Sequence, residues 1–181
     1  ILLDEAPVYS ASHLMGFFSV FNSDALKNIT VYKGGIPANY GGRASSVLDI
    51  SMKDGNNQKF SASGGLGLIS SRLTIEGPIM KDKLSFIVSG RRSYADLIAK
   101  SAGFFDSDMN MYFYDLNAKM NYKINDKNRI FISGYFGKDE FGFAEMGMNW
   151  GNTTGTFRWN HLFNSKLFSN TSIIYSKYDY G

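Results

Sequence analysis

From Tyr112 to Ile124 apolar and polar side chains alternate almost without a break. Tyr112, Tyr114, Leu116, Ala118, Met120, Tyr122 and Ile124 fall on one face; Phe113, Asp115, Asn117, Lys119, Asn121 and Lys123 fall on the other, which is almost wholly polar. A period of two is the signature of a sheet that separates two environments. The run exceeds a typical strand of about 5–6 residues and suits the roughly 9–11 residues that cross a bilayer at a tilt. Weaker stripes repeat it: Leu84, Phe86 and Val88 against Ser85, Ser89 and Arg91; Ile130, Ile132 and Phe136; and Phe157, Trp159 and Phe163 against Thr156, Arg158 and Asn160. The pattern predicts seven strands, near 58–67, 71–79, 84–95, 111–124, 129–141, 153–163 and 167–180, with almost no helix.

The connections alternate too. Met80–Lys83, Asn125–Asn128 and Asn164–Lys166 are short and polar, whereas the stretches near 96–110 and 142–152 read as longer loops rich in Gly, Met and Phe. The join at Ser70-Ser71 is short where a long one is due. Tight turns on one rim and long loops on the other describe an outer-membrane barrel. A soluble antiparallel sandwich or barrel alternates as well, but it fills its interior with apolar side chains or exposes its polar face to water. Here the face opposite the apolar stripe carries Asp115, Asn117, Lys119 and Asn121.

Before Gly55 the character differs. Ile1–Leu3, Ile29–Tyr32 and Val47–Met52 are strand-sized, and Asn22 or Ser23 can cap a helical turn or two with Asp24 at its positive end. Gly34-Gly35, Pro37 and Gly41-Gly42 punctuate a turn-rich connection. So few apolar positions make a poor independent core.

Composition narrows the chemistry. No run approaches the roughly 18–20 apolar residues of a membrane-spanning helix. There is no cysteine, hence no disulfide framework, thiolate metal site or thiol nucleophile. A formal net charge of +3, spread along the chain, gives no reason to expect a nucleic-acid partner. His13 and His161 lack acidic neighbours at ligand spacing, so no metal site is expected. Asp4-Glu5, Asp106, Asp108 and Asp139-Glu140 sit where solvation suits them better than acid–base work. The glycine pairs lack the lysine and helix of a phosphate loop. The chain is read as no enzyme and without cofactor. Ile1 in first place predicts that the true start, with any export signal, lies elsewhere.

Ile29–Arg43, containing Tyr32-Lys33-Gly34-Gly35-Ile36-Pro37 and Tyr40-Gly41-Gly42-Arg43, and then Val47–Gly55 closely resemble the end of the plug domain of TonB-dependent outer-membrane receptors. Leu2-Leu3-Asp4-Glu5-Ala6-Pro7-Val8 looks like that family's strand and turn, with Glu5 where Gly is usual. Gly77-Pro78 and Ser89-Gly90-Arg91-Arg92 look like its early barrel strands. The resemblance implies a mainly β fold: residues 1–56 as the C-terminal part of a small α+β plug domain, and 57–181 as the first seven or so strands of a plugged transmembrane antiparallel barrel of about 22 strands.

It further implies a receptor in the outer membrane of a Gram-negative bacterium, importing a scarce, bulky nutrient. Its partners would be outer-membrane lipid, an unidentified imported ligand, a surface lipoprotein, and the TonB energy-transducing complex through an N-terminal box outside this chain. The alternative is a non-energised outer-membrane barrel acting in adhesion or in docking a surface partner. By position Tyr9, Ser12, His13, Phe17 and Phe18 would form a plug apex that touches substrate, or the aromatics would pack plug against wall. Arg43 resembles the plug arginine that pairs with the barrel wall; Arg91, Arg92, Lys119 and Arg158 would face the lumen.

Overall fold

A computed structural model describes residues 1–42, 45–101, 103, 110–143 and 146–181. The first strands are short: β1 (Leu2–Leu3), β2 (Ala6–Pro7), β3 (Ser12–His13), β4 (Phe18–Ser19), β5 (Leu26–Tyr32) and β6 (Val47–Met52). They form a four-stranded sheet in the order β2-β1-β6-β5, with β1 parallel to β6, and a separate β3-β4 pair. Asn22 caps a 3-10 turn at Ser23–Ala25, its side-chain oxygen accepting from the Asp24 amide at 3.1 Å. Asp4 and Glu5 turn the chain from β1 into β2 at φ 44° and 75°. Glu5 therefore holds the left-handed conformation that glycine adopts without steric cost.

The rest of the chain is a meander of longer strands: β7 (Ser61–Leu66), β8 (Ser70–Met80), β9 (Leu84–Ser93), β10 (Asn110–Asn125), β11 (Asn128–Phe143), β12 (Met146–Asn164) and β13 (Leu167–Tyr180). Each pairs antiparallel with its neighbour in sequence, giving one seven-stranded sheet that ends in open edges at β7 and β13. The fold is mainly β, and none of its sheets is closed.

Register sorts the side chains into rows. Ser63, Thr74, Ser89, Asn117, Tyr135, Thr154 and Ser176 lie opposite one another across all seven strands, on the face turned toward residues 1–54. One step away and on the other face run Ala62, Ile75, Val88, Ala118, Gly134, Gly155 and Tyr175. Burial follows the rows: Asp115, Asn117 and Lys119 are buried on β10, while Leu116 and Met120 are 48% and 39% exposed. Most exposed hydrophobic positions look outward and most buried charges inward, with Ile87, Phe113, Phe131 and Tyr135 buried inward as well and Arg92, Lys138 and Lys177 outward.

Inside, the described residues form a small apolar cluster. Leu3, Val8, Val20, Ala25, Ile50 and Met52 cluster together, and Tyr135 of β11 joins them. The N-terminal sheet thus borrows part of its core from the large one.

Three expectations need correcting. In the stretch 142–152, read as a long loop, residues 142–143 and 146–152 are ladder: Gly142 pairs with Gly147 and Phe141 with Met148, so β12 starts earlier than its Gly and Asn content suggested. Residues after β9 hold a helix, α1 (Ala95–Ser101), with Asp96 in its first turn and Lys100 in its last. Finally, Arg92 cannot share a face with Arg91, because adjacent residues of a strand point to opposite sides. Its guanidinium lies on the outer face over Tyr112, 5.4 Å from the ring centroid.

Candidate functional site

The functional candidate is the seam between residues 1–54 and the inward face of β9–β13, because nearly every buried charge gathers there. β3 places His13 against β10 and β11. Its ring stacks on Phe113 at 4.3 Å between centroids and 9° between planes. Nδ1 lies 2.7 Å from Asp139, and Nε2 lies 3.4 Å from Asp115 and from the Tyr135 hydroxyl. The other Asp139 oxygen accepts from the Leu14 amide at 2.7 Å. Arg91 closes the group, its Nε and Nη2 at 2.8 and 2.7 Å from Asp115, and Nη2 also donates to the Ser19 carbonyl at 2.6 Å. Burial pushes the His13 imidazole toward its neutral form, but hydrogen bonds and charge from Asp115 and Asp139 outweigh it and raise the pKa above 6.5.

A second group sits deeper along β10. The Lys119 ammonium meets Asp4 at 3.1 Å and Asp54 at 3.2 Å, and donates to the Met52 carbonyl at 3.1 Å. Asp4 also accepts from the Met52 amide at 3.0 Å, and its own carbonyl accepts from Thr156 at 2.9 Å. For Asp54, burial pulls the carboxyl pKa up, yet Lys119 and Lys27 more than offset it and hold it below the usual range. Beside this group Arg158 reaches Glu5 at 3.1 Å and lies 4.4 Å over the Phe131 ring.

Uncharged bonds complete the seam. Asn22 donates to Ser89 at 2.7 Å, and Ser89 in turn meets Thr74 at 2.7 Å. Asn152 accepts from the Tyr9 and Ser10 amides and donates to the Ser10 carbonyl. Ser176 donates to the Pro7 carbonyl. Contacts of this kind hold one unit on another while keeping both surfaces compatible with water.

The residues singled out in the sequence separate into two groups. Tyr9 and Phe17 are 65% and 84% exposed and remain free to touch something else. His13 is buried in the seam, Ser12 is half-buried in β3, and Phe18 packs 5.2 Å from the Phe113 ring. Arg91, Lys119 and Arg158 all lie on the inward face. Arg43 falls outside the described residues, as do Asp106 and Asp108. Asp4 and Asp139 were assigned to solvent; instead they are buried ion-pair partners, since neither Lys119 nor His13 could be buried in its place without them. Asp115 and Asn117 carried a signal, polar residues on one face of a strand, but the partners of Asp115, His13 and Arg91, lie far away in the chain. Among the described residues no cluster of His, Asp and Glu is arranged to hold a metal ion, and no helix is long and apolar enough to cross a membrane.

No family model matches the chain, and no curated protein or solved structure matches it either.

Proposed function

We propose that the chain is part of a TonB-dependent outer-membrane receptor, residues 1–54 forming the end of its plug and β7–β13 the first strands of its transmembrane barrel. The observation that carries this reading is the inverted partition of the large sheet. Its outward rows are mostly apolar and exposed, and its inward rows bury Asp115, Asn117, Lys119, Asp139, Thr154 and Thr156 against the N-terminal unit, beside the aromatics Phe113, Phe131 and Tyr135. A water-soluble sheet does the reverse, whereas a barrel in lipid must present hydrocarbon outward. On β11 the outward apolar positions run from Ile130 to the ion-paired Lys138. That is roughly 27 Å of strand at about 3.4 Å per residue, or roughly 20 Å of height at a tilt of about 40°. An outer-membrane apolar band is about 25 Å tall.

The seam supports the second half of the reading. A plug must stay put in a wet interior and still be movable. Hydrogen bonds and ion pairs at His13, Asn22, Lys119 and Asn152 give position beside a small apolar contact at Tyr135 and Phe113. Tyr9 and Phe17 stay exposed on the same segment and are the side chains we assign to an arriving ligand.

The test uses the full-length protein in a Gram-negative host. It should fractionate with the outer membrane, and Ala118→Arg, a charge at mid-depth opposite Gly134 costing roughly 2–4 kcal/mol, should cut the assembled amount more than Leu116→Arg nearer the rim. Deleting the N-terminal box should abolish uptake and spare ligand binding. Recovery of the protein in the soluble fraction, or assembly indifferent to Ala118→Arg, would remove the membrane reading. Uptake that survives the deletion would remove energised import.

A further inference from the structure

The outer face carries a groove of about 740 Å³ between the ridges of β8 and β10, with β9 as its floor. In the register Gly90 lies opposite Leu73 on one side and Leu116 on the other, and Gly64 continues the row beyond Leu73. Val88 follows Gly90 along β9 in one direction, and Arg92 stands at the other end.

Nothing in the fold demands a glycine at position 90. Its φ is not in the left-handed region, and a Cβ there would meet only the Asp115 carbonyl and the Leu116 side chain at 3.8 Å, an ordinary contact. Glycine within a strand weakens it and often marks a place where something else approaches closely. The missing side chain therefore leaves a notch that the protein's own packing does not use.

Arg92 is the second observation. Three cations stand on the outer face near this end of the strands. Lys138 is paired with Glu140 at 2.7 Å and Lys177 with Asp179 at 2.6 Å. Among the described residues Arg92 meets no carboxylate, only the face of Tyr112. An unpaired guanidinium at the mouth of an apolar groove asks for an anion attached to hydrocarbon, and its planar fork suits phosphate oxygens.

We propose that this notch binds a membrane lipid with a phosphorylated headgroup, one acyl chain lying along β9 over Gly90 and the phosphate on Arg92. The inference rests on the membrane reading of the same sheet. Width argues against a peptide helix as the occupant. β8 and β10 lie about 9.6 Å apart, two strand spacings, and Leu73 and Leu116 narrow the gap further, whereas a helix is about 10–12 Å across. A single extended chain fits such a slot.

Native mass spectrometry of the full-length protein in detergent, titrated with phosphatidylglycerol, phosphatidylcholine or inorganic phosphate, tests it. Phosphatidylglycerol should be retained at lower concentration than phosphatidylcholine, and phosphate alone should not be retained. Arg92→Gln should weaken that retention roughly ten-fold, the size of losing one charge-assisted hydrogen bond, and Gly90→Leu should weaken it by filling the notch. Lys81→Gln, in the turn at the opposite rim, should leave it unchanged. Equal retention of the two lipids, binding of phosphate alone, or variants that behave like the wild type would each overturn the site. Should those retention results fail while wild type and variants are recovered equally in the outer membrane, the membrane reading would stand and the site would fall; absence of the wild type from that membrane would end both.

Discussion

At Gly55 the backbone passes β9 with φ +78° and so closely that a methyl group would lie 2.3 Å from the Phe86 carbonyl oxygen. The next anchor back is the Asp54 carbonyl, which accepts from Ser85 at 2.8 Å. Gly55→Ala should therefore destabilise the full-length protein by roughly 2–4 kcal/mol, the sum of a left-handed residue with a side chain and of overpacking. Chemical denaturation that gives the same midpoint for both proteins would refute this. His13 makes a prediction in pH. Its pKa is raised above 6.5 in the folded state, so protonation of the docked imidazole stabilises the seam below about 6.5. That contribution fades as pH climbs from 6.5 through the raised value. The stability advantage of the wild type over His13→Gln should shrink across this window, and an advantage that grows with pH would contradict it. The side of β10 on which Asp115 and Lys119 lie was legible from alternation alone. What each would meet was not, because Asp139 reaches His13 across 126 positions of sequence.

Elements were legible where two environments meet and illegible where neighbours supply the reason for the structure. β10 and β11 could be read nearly to their ends. β12 could not, because Gly147, Asn149 and Gly151 have poor strand propensity and are held in the ladder by β11. Gly151 shows why: a Cβ there would stand 2.6 Å from the Gly137 carbonyl oxygen, a closeness that only the paired backbone reveals. Asn22 was legible as a cap, but its second task of donating to Ser89 was not. At this scale Lys119 joins three elements, since it takes Asp4 after β1, Met52 in β6 and Asp54 beyond it. Lys119→Met leaves the buried Asp4 without its cation, while Asp54 keeps Lys27, a loss of roughly 3–5 kcal/mol for a buried pair. Proteolysis within residues 1–54 should accelerate sharply in this variant while circular dichroism of the large sheet stays unchanged. Identical cleavage rates in the two proteins would show that Lys119 does not hold the unit.

For the whole molecule, the meander of sequence-adjacent strands explains why the architecture was readable at all: every long pairing joins neighbours in the chain. The orientation of the N-terminal unit is different, because it depends on Asn152, Thr156 and Ser176, scattered over strands that give no local hint of a partner. The polar nature of that seam has a thermal consequence. Detaching a unit across hydrogen-bonded, charged surface uncovers polar and apolar area whose effects on heat capacity have opposite signs. Calorimetry of the full-length protein should show a detachment step with a heat-capacity change far below the roughly 12–15 cal/mol/K per residue of unfolding. A step as large as that would mean the unit unfolds as it leaves. Apolar attraction weakens on cooling, and in this join it is confined to the contacts at Tyr135 and Phe113, while the ion pairs and hydrogen bonds do not depend on it. The position of the N-terminal segment on the large sheet should accordingly be almost as secure in a cold habitat as in a warm one.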